Sequence, residues 1–500
     1  MSSQPIQTLQ LGGATIPGIR PVFYLVGTVL LATAIMMVPP LLVDLYVGNG
    51  DWRSFGLAAA ISAIIGGGLM ASCRGALKGG LTLRQAFLLT PTSWFSVAVV
   101  SALPFYFSDY GIVSGSLADA VFEAVSGITT TGATVISGLG EAPPGMLLWR
   151  GLLQWMGGIG IIASAIAILP ALGIGGMQLF RTESSDRSEK ALPQIRQIAT
   201  AIGGIYLGLT VLAVGVYWLA GMAPFDAVVH GLTSIATGGY STSDASFGAW
   251  EDNGIQWFAT AFMLSGAIPF VLYVRLVAGE GRALWDRQVM TLLAFVVIVA
   301  FVLGLWLAIS GQYALEPAFR HAAFNVVSVV TTTGYATTDY QSWSNAAIGI
   351  FFALTFIGGC TGSTSGGIKI FRFEVMGVML RAHFMRLIYP RGMFPRTYAN
   401  RTLDDEVIGS VVAFFAVYFC CYAVLTIALM ALGLDFLTSS SGATTALSNV
   451  GPGLGEIIGP AGNFGPLPDG AKWLLSFGMM LGRLELFTVL VLFLPRFWRG

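Results

Sequence analysis

The chain has 500 residues, of which 55% are hydrophobic and only 10% charged, with a mean hydropathy of +0.76. So much apolar surface exceeds what the core of a soluble domain can hide, and the composition places the chain in a bilayer. Lys plus Arg and Asp plus Glu number 25 each, and a net charge of zero leaves no electrostatic footprint for nucleic acid.

The stretch Met1 to Arg20 is polar and lacks the basic n-region, short apolar core and small-residue cleavage site of a signal peptide. The first long apolar segment is therefore expected to stay as an anchor. A span needs about 20 mostly apolar residues, and on that rule the chain offers ten candidates. Val22 to Val47 and Phe55 to Cys73 come first and form an added front module.

From Leu83 the order becomes span, short amphipathic segment, polar phrase, span. The first unit has Ser93 to Tyr110, Leu117 to Thr131 and Gly145 to Leu169, and the second Ile198 to Leu219, Phe225 to Thr237 and Ile255 to Val277. The third has Val289 to Ile309, Pro317 to Thr333 and an interrupted Ala346 to Met379, and the fourth Val407 to Leu432, Asp435 to Val450 and Lys472 to Leu494. The spacing predicts an all-α membrane protein: four tandem helix, re-entrant pore helix, helix units arranged pseudo-fourfold around one pore, behind an N-terminal two-helix module. The corresponding domain bounds are 1–82, 83–196, 197–288, 289–403 and 404–500.

The four phrases are variants of one text. Ile128-Thr129-Thr130-Thr131-Gly132-Ala133-Thr134, Ser234-Ile235-Ala236-Thr237-Gly238-Gly239-Tyr240, Val330-Thr331-Thr332-Thr333-Gly334-Tyr335-Ala336-Thr337 and Leu447-Ser448-Asn449-Val450-Gly451-Pro452-Gly453 place Gly132, Gly238, Gly334 and Gly451 at intervals of 106, 96 and 117 residues. A run of small hydroxyl residues ending in Gly lets the backbone turn its carbonyls to one side, because Gly tolerates positive φ and removes the side chain that would block close approach. Four such turns around one axis make a ring of carbonyl oxygens able to replace the water shell of a cation. Asp119, Asp226, Glu316 and Asp435 open the short segments, where an acid suits a helix N-terminus and leaves the negative end aimed at the phrase.

If ten spans alternate from a cytoplasmic N-terminus, nineteen Lys and Arg fall on the cytoplasmic side and four outside (Arg53, Arg150, Arg320 and Lys472). The positive-inside rule then sets every phrase near the outer face. Lys369 and Arg483 fall at membrane depth, where a charge normally faces the bundle interior. Gly358, Gly359, Cys360, Thr361, Gly362, Ser363, Thr364, Ser365, Gly366 and Gly367 interrupt the third unit's last span, and ten such residues make a poor helix. A loop there would obstruct the pore until moved, Lys369 at its end could be held by carboxylates, and Arg483 facing the pore would repel cations below the filter.

Neither Gly157-Gly158-Ile159-Gly160 nor Gly362 to Lys369 fits a phosphate-loop pattern, and close helix packing explains the first. Cys73, Cys360, Cys420 and Cys421 show no paired spacing, and His230, His321 and His383 are scattered, so no disulfide framework, metal cluster or enzyme site is indicated. His230 and His321 are read as capping or packing residues of the pore helices.

With these residues in view, the chain from about Val22 to Phe497 resembles the Trk/Ktr/HKT superfamily of potassium transporters, and within it the TrkH type. The four phrases, Gln154-Trp155-Met156-Gly157-Gly158-Ile159-Gly160, the Gly358 to Lys369 stretch and Gly482-Arg483-Leu484-Glu485 carry the resemblance. It implies potassium uptake through a filter of backbone carbonyls contributed by Thr130, Thr131, Gly132 and Ala133; Ala236, Thr237, Gly238 and Gly239; Thr332, Thr333, Gly334 and Tyr335; and Asn449, Val450, Gly451 and Pro452. It also implies a homodimer in the lipid of the bacterial inner membrane, potassium as the transported ion with no organic cofactor on this chain, and a cytosolic nucleotide-binding regulatory subunit of the TrkA type. Sodium-preferring relatives replace the first filter Gly by Ser, and Gly132 favours potassium. The alternative is a sodium- or proton-coupled potassium symporter, which would favour inverted repeats and midplane acids, whereas these repeats run in the same direction and Glu485 is the only midplane acid the sequence offers.

Overall fold

The computed structural model describes residues 18–79, 81–167, 191–250, 253–399 and 401–499. Arg181, Arg187, Lys190 and the end of the expected span Gly145 to Leu169 lie outside the described residues.

The front module comprises α1 (Arg20–Met36), α2 (Val38–Val47) and α3 (Trp52–Ser72). The first expected span is divided at Met37, just before Pro39-Pro40. Helices α1 and α3 pack backbone to backbone, since a Cβ on Gly27 would meet the Gly66 carbonyl oxygen at 2.6 Å.

Unit one follows with α4 (Leu83–Phe107), α5 (Leu117–Ile128) and α6 (Pro144–Ala167). Helix α4 starts ten residues before the expected span because Thr82 and Gln85 form a capping box there. Unit two contains α7 (Ala191–Leu219), α8 (Pro224–Ile235), α9 (Asn253–Gly266) and α10 (Phe270–Val277). In unit three α11 (Arg287–Ile309) and α12 (Leu315–Val330) precede α13 (Asn345–Leu354) and α14 (Ile370–Ile388). Strands β1 (Thr397–Tyr398) and β2 (Arg401–Thr402) pair before unit four, which has α15 (Asp405–Ala431), α16 (Phe436–Ser448), α17 (Asp469–Arg483), α18 (Phe487–Leu490) and α19 (Pro495–Arg499).

Two expected spans are not straight. The second unit's bends by 94° between α9 and α10, and the fourth unit's by 106° between α17 and α18. Ala267, Ile268 and Pro269 separate the first pair, and Glu485 and Leu486 carry φ of 60° and 51° at the second break. A hydropathy count cannot see either bend, because the first break is apolar and at the second Arg483 and Glu485 are the only charges between Trp473 and Pro495. Among the described residues six helices are long and apolar enough to cross a membrane, eight if each bent pair is one span.

In every unit the short helix (α5, α8, α12 or α16) packs between its own two flanking helices. Helix α6 also packs on α8, α9 on α12, and α17 on α5, so at three of the four seams the last helix of one unit braces the short helix of the next, the fourth unit returning to the first. The short helices begin as the sequence suggests. Asp435 accepts the Thr438 amide at 3.0 Å, and hydrogen bonds from Thr438 hold its carboxyl below the usual carboxylate range. Asp119, Asp226 and Glu316 lie in first turns.

The front module is pinned to unit one by a buried carboxylate. Asp44 of α2 accepts the Gly145 amide at 2.7 Å, capping the otherwise unsatisfied start of α6. Asp44→Ala should lower stability by about 1–3 kcal/mol, the usual penalty for a buried donor left without a partner. Thermal unfolding of the detergent-solubilised protein measures this, and an unchanged midpoint would refute it.

Candidate functional site

Each short helix ends in the same two backbone bonds. The amides of Thr130, Thr237, Thr332 and Asn449 donate to the carbonyls of Gly127, Ser234, Val329 and Ala446 at 3.0, 3.1, 3.0 and 3.3 Å. The next amides, of Thr131, Gly238, Thr333 and Val450, donate to Ser126, Thr233, Ser328 and Thr445 at 2.9, 2.9, 2.8 and 3.0 Å. This pair is a Schellman motif, whose left-handed residue is usually Gly. Here Thr130, Thr237, Thr332 and Asn449 hold it, with φ of 53°, 48°, 59° and 54°. A left-handed β-branched residue costs roughly 1–2 kcal/mol, and three of them in register, with Asn449 as the fourth left-handed residue, form the kind of over-determined backbone that gathers at functional sites.

The register corrects one sequence assignment. In the second unit the stretch equivalent to Thr130–Ala133 is Thr237–Tyr240, one residue later than Ala236–Gly239. Gly239 carries φ +84°, as Gly132 and Gly334 carry +83° and +86°, whereas Gly238 stands where Thr131, Thr333 and Val450 stand. Two adjacent glycines left the sequence without a marker. Gly451 has no left-handed φ, consistent with the restriction Pro452 imposes on the residue before it.

The four stretches meet in a closed ring. A Cβ on Gly132 would lie 2.1 Å from the Gly238 carbonyl oxygen, and one on Gly239 would lie 1.9 Å from that of Thr333. One on Gly334 would lie 2.7 Å from the Gly451 amide nitrogen, and one on Gly451 would lie 3.3 Å from the Gly132 carbonyl. Each glycine faces the next loop in chain order, and the fourth faces the first. All four line one cavity of about 300 Å³, together with Tyr240 and Asp244.

Polar side chains hold the loops from behind. Gln154 of α6 donates to the Gly238 carbonyl at 2.6 Å and accepts the Tyr240 amide at 3.0 Å. Arg150, one turn earlier, pairs with Glu123 of α5 at 2.8 Å, both side chains being no more than 1% exposed. The guanidinium also donates to the Ser241 carbonyl at 2.9 Å and sits 4.0 Å from the centre of the Tyr240 ring. Glu123 accepts the Val135 amide at 3.0 Å. In the next seam Arg320 of α12 donates to Gln256 of α9. His230 packs between Phe247 and Trp250 and bonds Ser241 at 3.0 Å, and His321 bonds Thr337 at 2.9 Å, the packing roles expected of them.

At the helix-end side of the ring lies the Gly358 to Gly367 loop. Its ends are zipped, with the Gly358 amide donating to Ile368 at 2.9 Å and the Ile368 amide to Phe356 at 3.1 Å. Its outer edge is stapled to the α9–α10 break, where the Cys360 amide donates to Ala267 at 3.0 Å, the Phe270 amide to Gly362 at 3.1 Å and the Thr364 amide to Gly266 at 3.2 Å. The Thr361 amide donates to Gln288 at 3.1 Å, and the buried Ser363 hydroxyl to the Cys360 carbonyl at 2.6 Å. Toward the ring, the Gly366 amide donates to the Thr332 hydroxyl at 2.7 Å and the Thr237 hydroxyl to that of Thr364 at 3.1 Å. A Cβ on Gly366 would strike the Ser448 carbonyl oxygen at 2.3 Å.

Lys369 is held by the Ser365 carbonyl rather than by a carboxylate. Arg483 donates to the Thr364 carbonyl at 2.9 Å and reaches Gly157 at 3.4 Å, while Glu485 pairs with Arg372. Gly157, Gly266 and Gly482 pack on the last turns of α5, α8 and α16, where a Cβ would meet the carbonyl oxygens of Ile128, Ile235 and Leu447 at 1.9, 2.8 and 2.1 Å.

Sequence reasoning missed Glu123 and Gln154 as parts of this support, and read Arg150 only as an outer charge. An acid and a base inside apolar helices were the available signal, since buried charges are paired.

Four repeats in one chain, their short helices ending at a shared polar ring, define a membrane protein of the four-repeat pore class. The model of the TrkH family, described as "Cation transport protein", matches residues 54–499. The chain is similar to the Trk system potassium uptake protein TrkI of Halomonas elongata, with 49% identity over 481 residues, 96% of this chain and 97% of that protein. It is similar to TrkH of Escherichia coli, with 36% identity over 486 residues, 96% of this chain and 99% of that protein. The crystal structure of the potassium transporter TrkH from Vibrio parahaemolyticus superposes with a TM-score of 0.88 at 36% identity, covering 96% of this chain and 100% of that one. The chain belongs to the TrkH family of cation transport proteins.

Arg150→Met should destabilise the protein by about 3–5 kcal/mol, because it strands the Glu123 carboxylate in the interior. Adding Glu123→Gln should recover part of the loss. Equal unfolding midpoints for wild type and the single variant would show that the pair supports nothing.

Proposed function

We propose that this protein takes up potassium across the bacterial inner membrane through a filter of backbone carbonyls from Thr130–Ala133, Thr237–Tyr240, Thr332–Tyr335 and Asn449–Pro452. The observation that carries the reading is the ring itself, in which four left-handed turns at helix C-termini abut in sequence around one cavity. In the first three stretches φ alternates in sign, which turns successive carbonyls toward the same side. Carbonyls in that arrangement replace the water of a dehydrating cation, and the negative ends of four helices add to the attraction. The membrane potential drives entry at about 2.3 kcal/mol per charge per 100 mV.

The Gly358 to Gly367 loop is the gate. It lies against residues of the second, third and fourth stretches, and Arg483 adds a positive charge beside it. Orientation with the N-terminus in the cytoplasm rests on the distribution of Lys and Arg. The protein works as a homodimer with a cytosolic nucleotide-binding subunit of the TrkA type, which docks near Arg381 to Arg401 and Asp404-Asp405-Glu406. That site has a physical route to the gate, because the Tyr398 hydroxyl donates to Glu374 of α14 at 2.7 Å and α14 starts one residue after Lys369. Symport draws less support, since Glu485 is engaged by Arg372.

Rubidium uptake into liposomes with competing sodium tests filter and gate separately. Gly334→Ser should weaken discrimination against sodium, and removal of Gly358 to Gly367, whose flanks are already bridged between Ile357 and Ile368, should raise flux. Unchanged selectivity in the first would remove the filter assignment, and unchanged or lost flux in the second would remove the gate.

A further inference from the structure

Three seams of the ring are crossed by the chain itself, and the seam from the fourth unit to the first must close without a covalent link. Tyrosines strap two of the covalent seams. The Tyr240 hydroxyl donates to the Glu123 carbonyl at 2.8 Å, and the Tyr335 hydroxyl bonds that of Thr233. Pro452 and Ala133 occupy the matching positions in the other two stretches. Between the third and fourth units Gln341 substitutes, accepting the Gly455 amide at 2.7 Å and donating to its carbonyl at 3.3 Å. Among the described residues the last seam has neither a chain crossing nor a tyrosine hydroxyl bond, and the Phe122 and Phe464 rings meet across it at 5.4 Å.

Asn449 stands there, at the position Thr holds in the other three stretches. Its amide nitrogen donates to the Thr131 hydroxyl at 3.0 Å and to the Met479 carbonyl of α17 at 2.9 Å, and the residue is fully buried. The Thr131 hydroxyl is itself 2.8 Å from that of Thr129, so the link enters the hydroxyl ladder of the first stretch. A Thr has one hydroxyl and a stiff β-branch, whereas Asn tolerates left-handed φ and carries two donors on a longer arm. The same seam is backed further along by the buried Lys472–Asp119 pair at 2.5 Å and by the Phe464 amide donating to Thr134 at 2.8 Å.

We infer that the Asn449 side chain is a positioning group that closes the ring between its fourth and first stretches and so sets the carbonyl spacing that separates potassium from the smaller sodium ion. The inference rests on the filter reading above. It gives the irregular fourth phrase a purpose, since the departure from Thr falls at the seam that needs a longer reach.

Asn449→Gly isolates the side chain, because Gly keeps the left-handed turn without strain and deletes both bonds. In full-length protein reconstituted in liposomes, the rubidium-to-sodium flux ratio should fall by about tenfold, a loss of about 1.4 kcal/mol of discrimination. The unfolding midpoint should fall only modestly, since the relief of a left-handed side chain offsets part of the loss at the Met479 carbonyl. Thr131→Val should lower the ratio similarly, and the double variant no further than the larger single effect. A wild-type ratio in Asn449→Gly overturns the inference, as does a loss of both fluxes in proportion to a lowered midpoint. If Asn449→Gly fails to fold, Thr131→Val decides alone. Gly334→Ser in the same assay separates the two claims: a ratio lowered there but not in Asn449→Gly sinks only the seam, and a ratio unchanged in both sinks the filter as well.

Discussion

Backbone crowding at four glycines is the constraint on which the rest of the structure depends. A Cβ would lie 2.1 Å from a neighbouring carbonyl oxygen at Gly132 and 1.9 Å from one at Gly239, well inside van der Waals contact. Peptides brought that close must already have their amides and carbonyls committed elsewhere or turned to a common space. The Schellman bonds at each helix end commit the amides. What remains is a set of carbonyls around one cavity, and the long helices outside serve to hold them there.

The supporting shell differs from seam to seam, although the ring itself repeats. Between units one and two it is an ion pair, a glutamine and a tyrosine; between two and three an arginine, a glutamine and a tyrosine; between four and one an ion pair and an asparagine. Different side chains can do this work because each needs only to satisfy buried donors and acceptors at the same depth. The backbone conformation has no such latitude, since only a few residue types tolerate positive φ. Hence the phrases repeat in sequence while their supports do not.

That contrast explains what the sequence could and could not disclose. The unit order, the short helices and the convergence of polar phrases were legible because hydropathy and small-residue runs recur at each unit. The register of the second phrase was not, because Gly238 and Gly239 are interchangeable on paper and only the fold distinguishes them, Gly238 packing against Gln154 and Gly239 taking positive φ beside the Thr333 carbonyl. The bend after Gly266 was hidden inside apolar text, and the one after Arg483 sits beside two charges that a hydropathy window tolerates. Arg150 and Lys472 looked like surface charges, since their partners Glu123 and Asp119 lie 27 and 353 residues away in the chain. Lys369 found a carbonyl instead of a carboxylate, a choice that depends on how the loop folds back on itself.

Direct location of the ion tests the central claim most sharply. Crystals grown in rubidium, with data collected at its absorption edge, should show anomalous density on the axis bounded by Gly132, Gly239, Gly334 and Gly451, and nowhere else at comparable strength within the membrane region. Density absent from that axis, with a strong site elsewhere among the helices, would contradict the account.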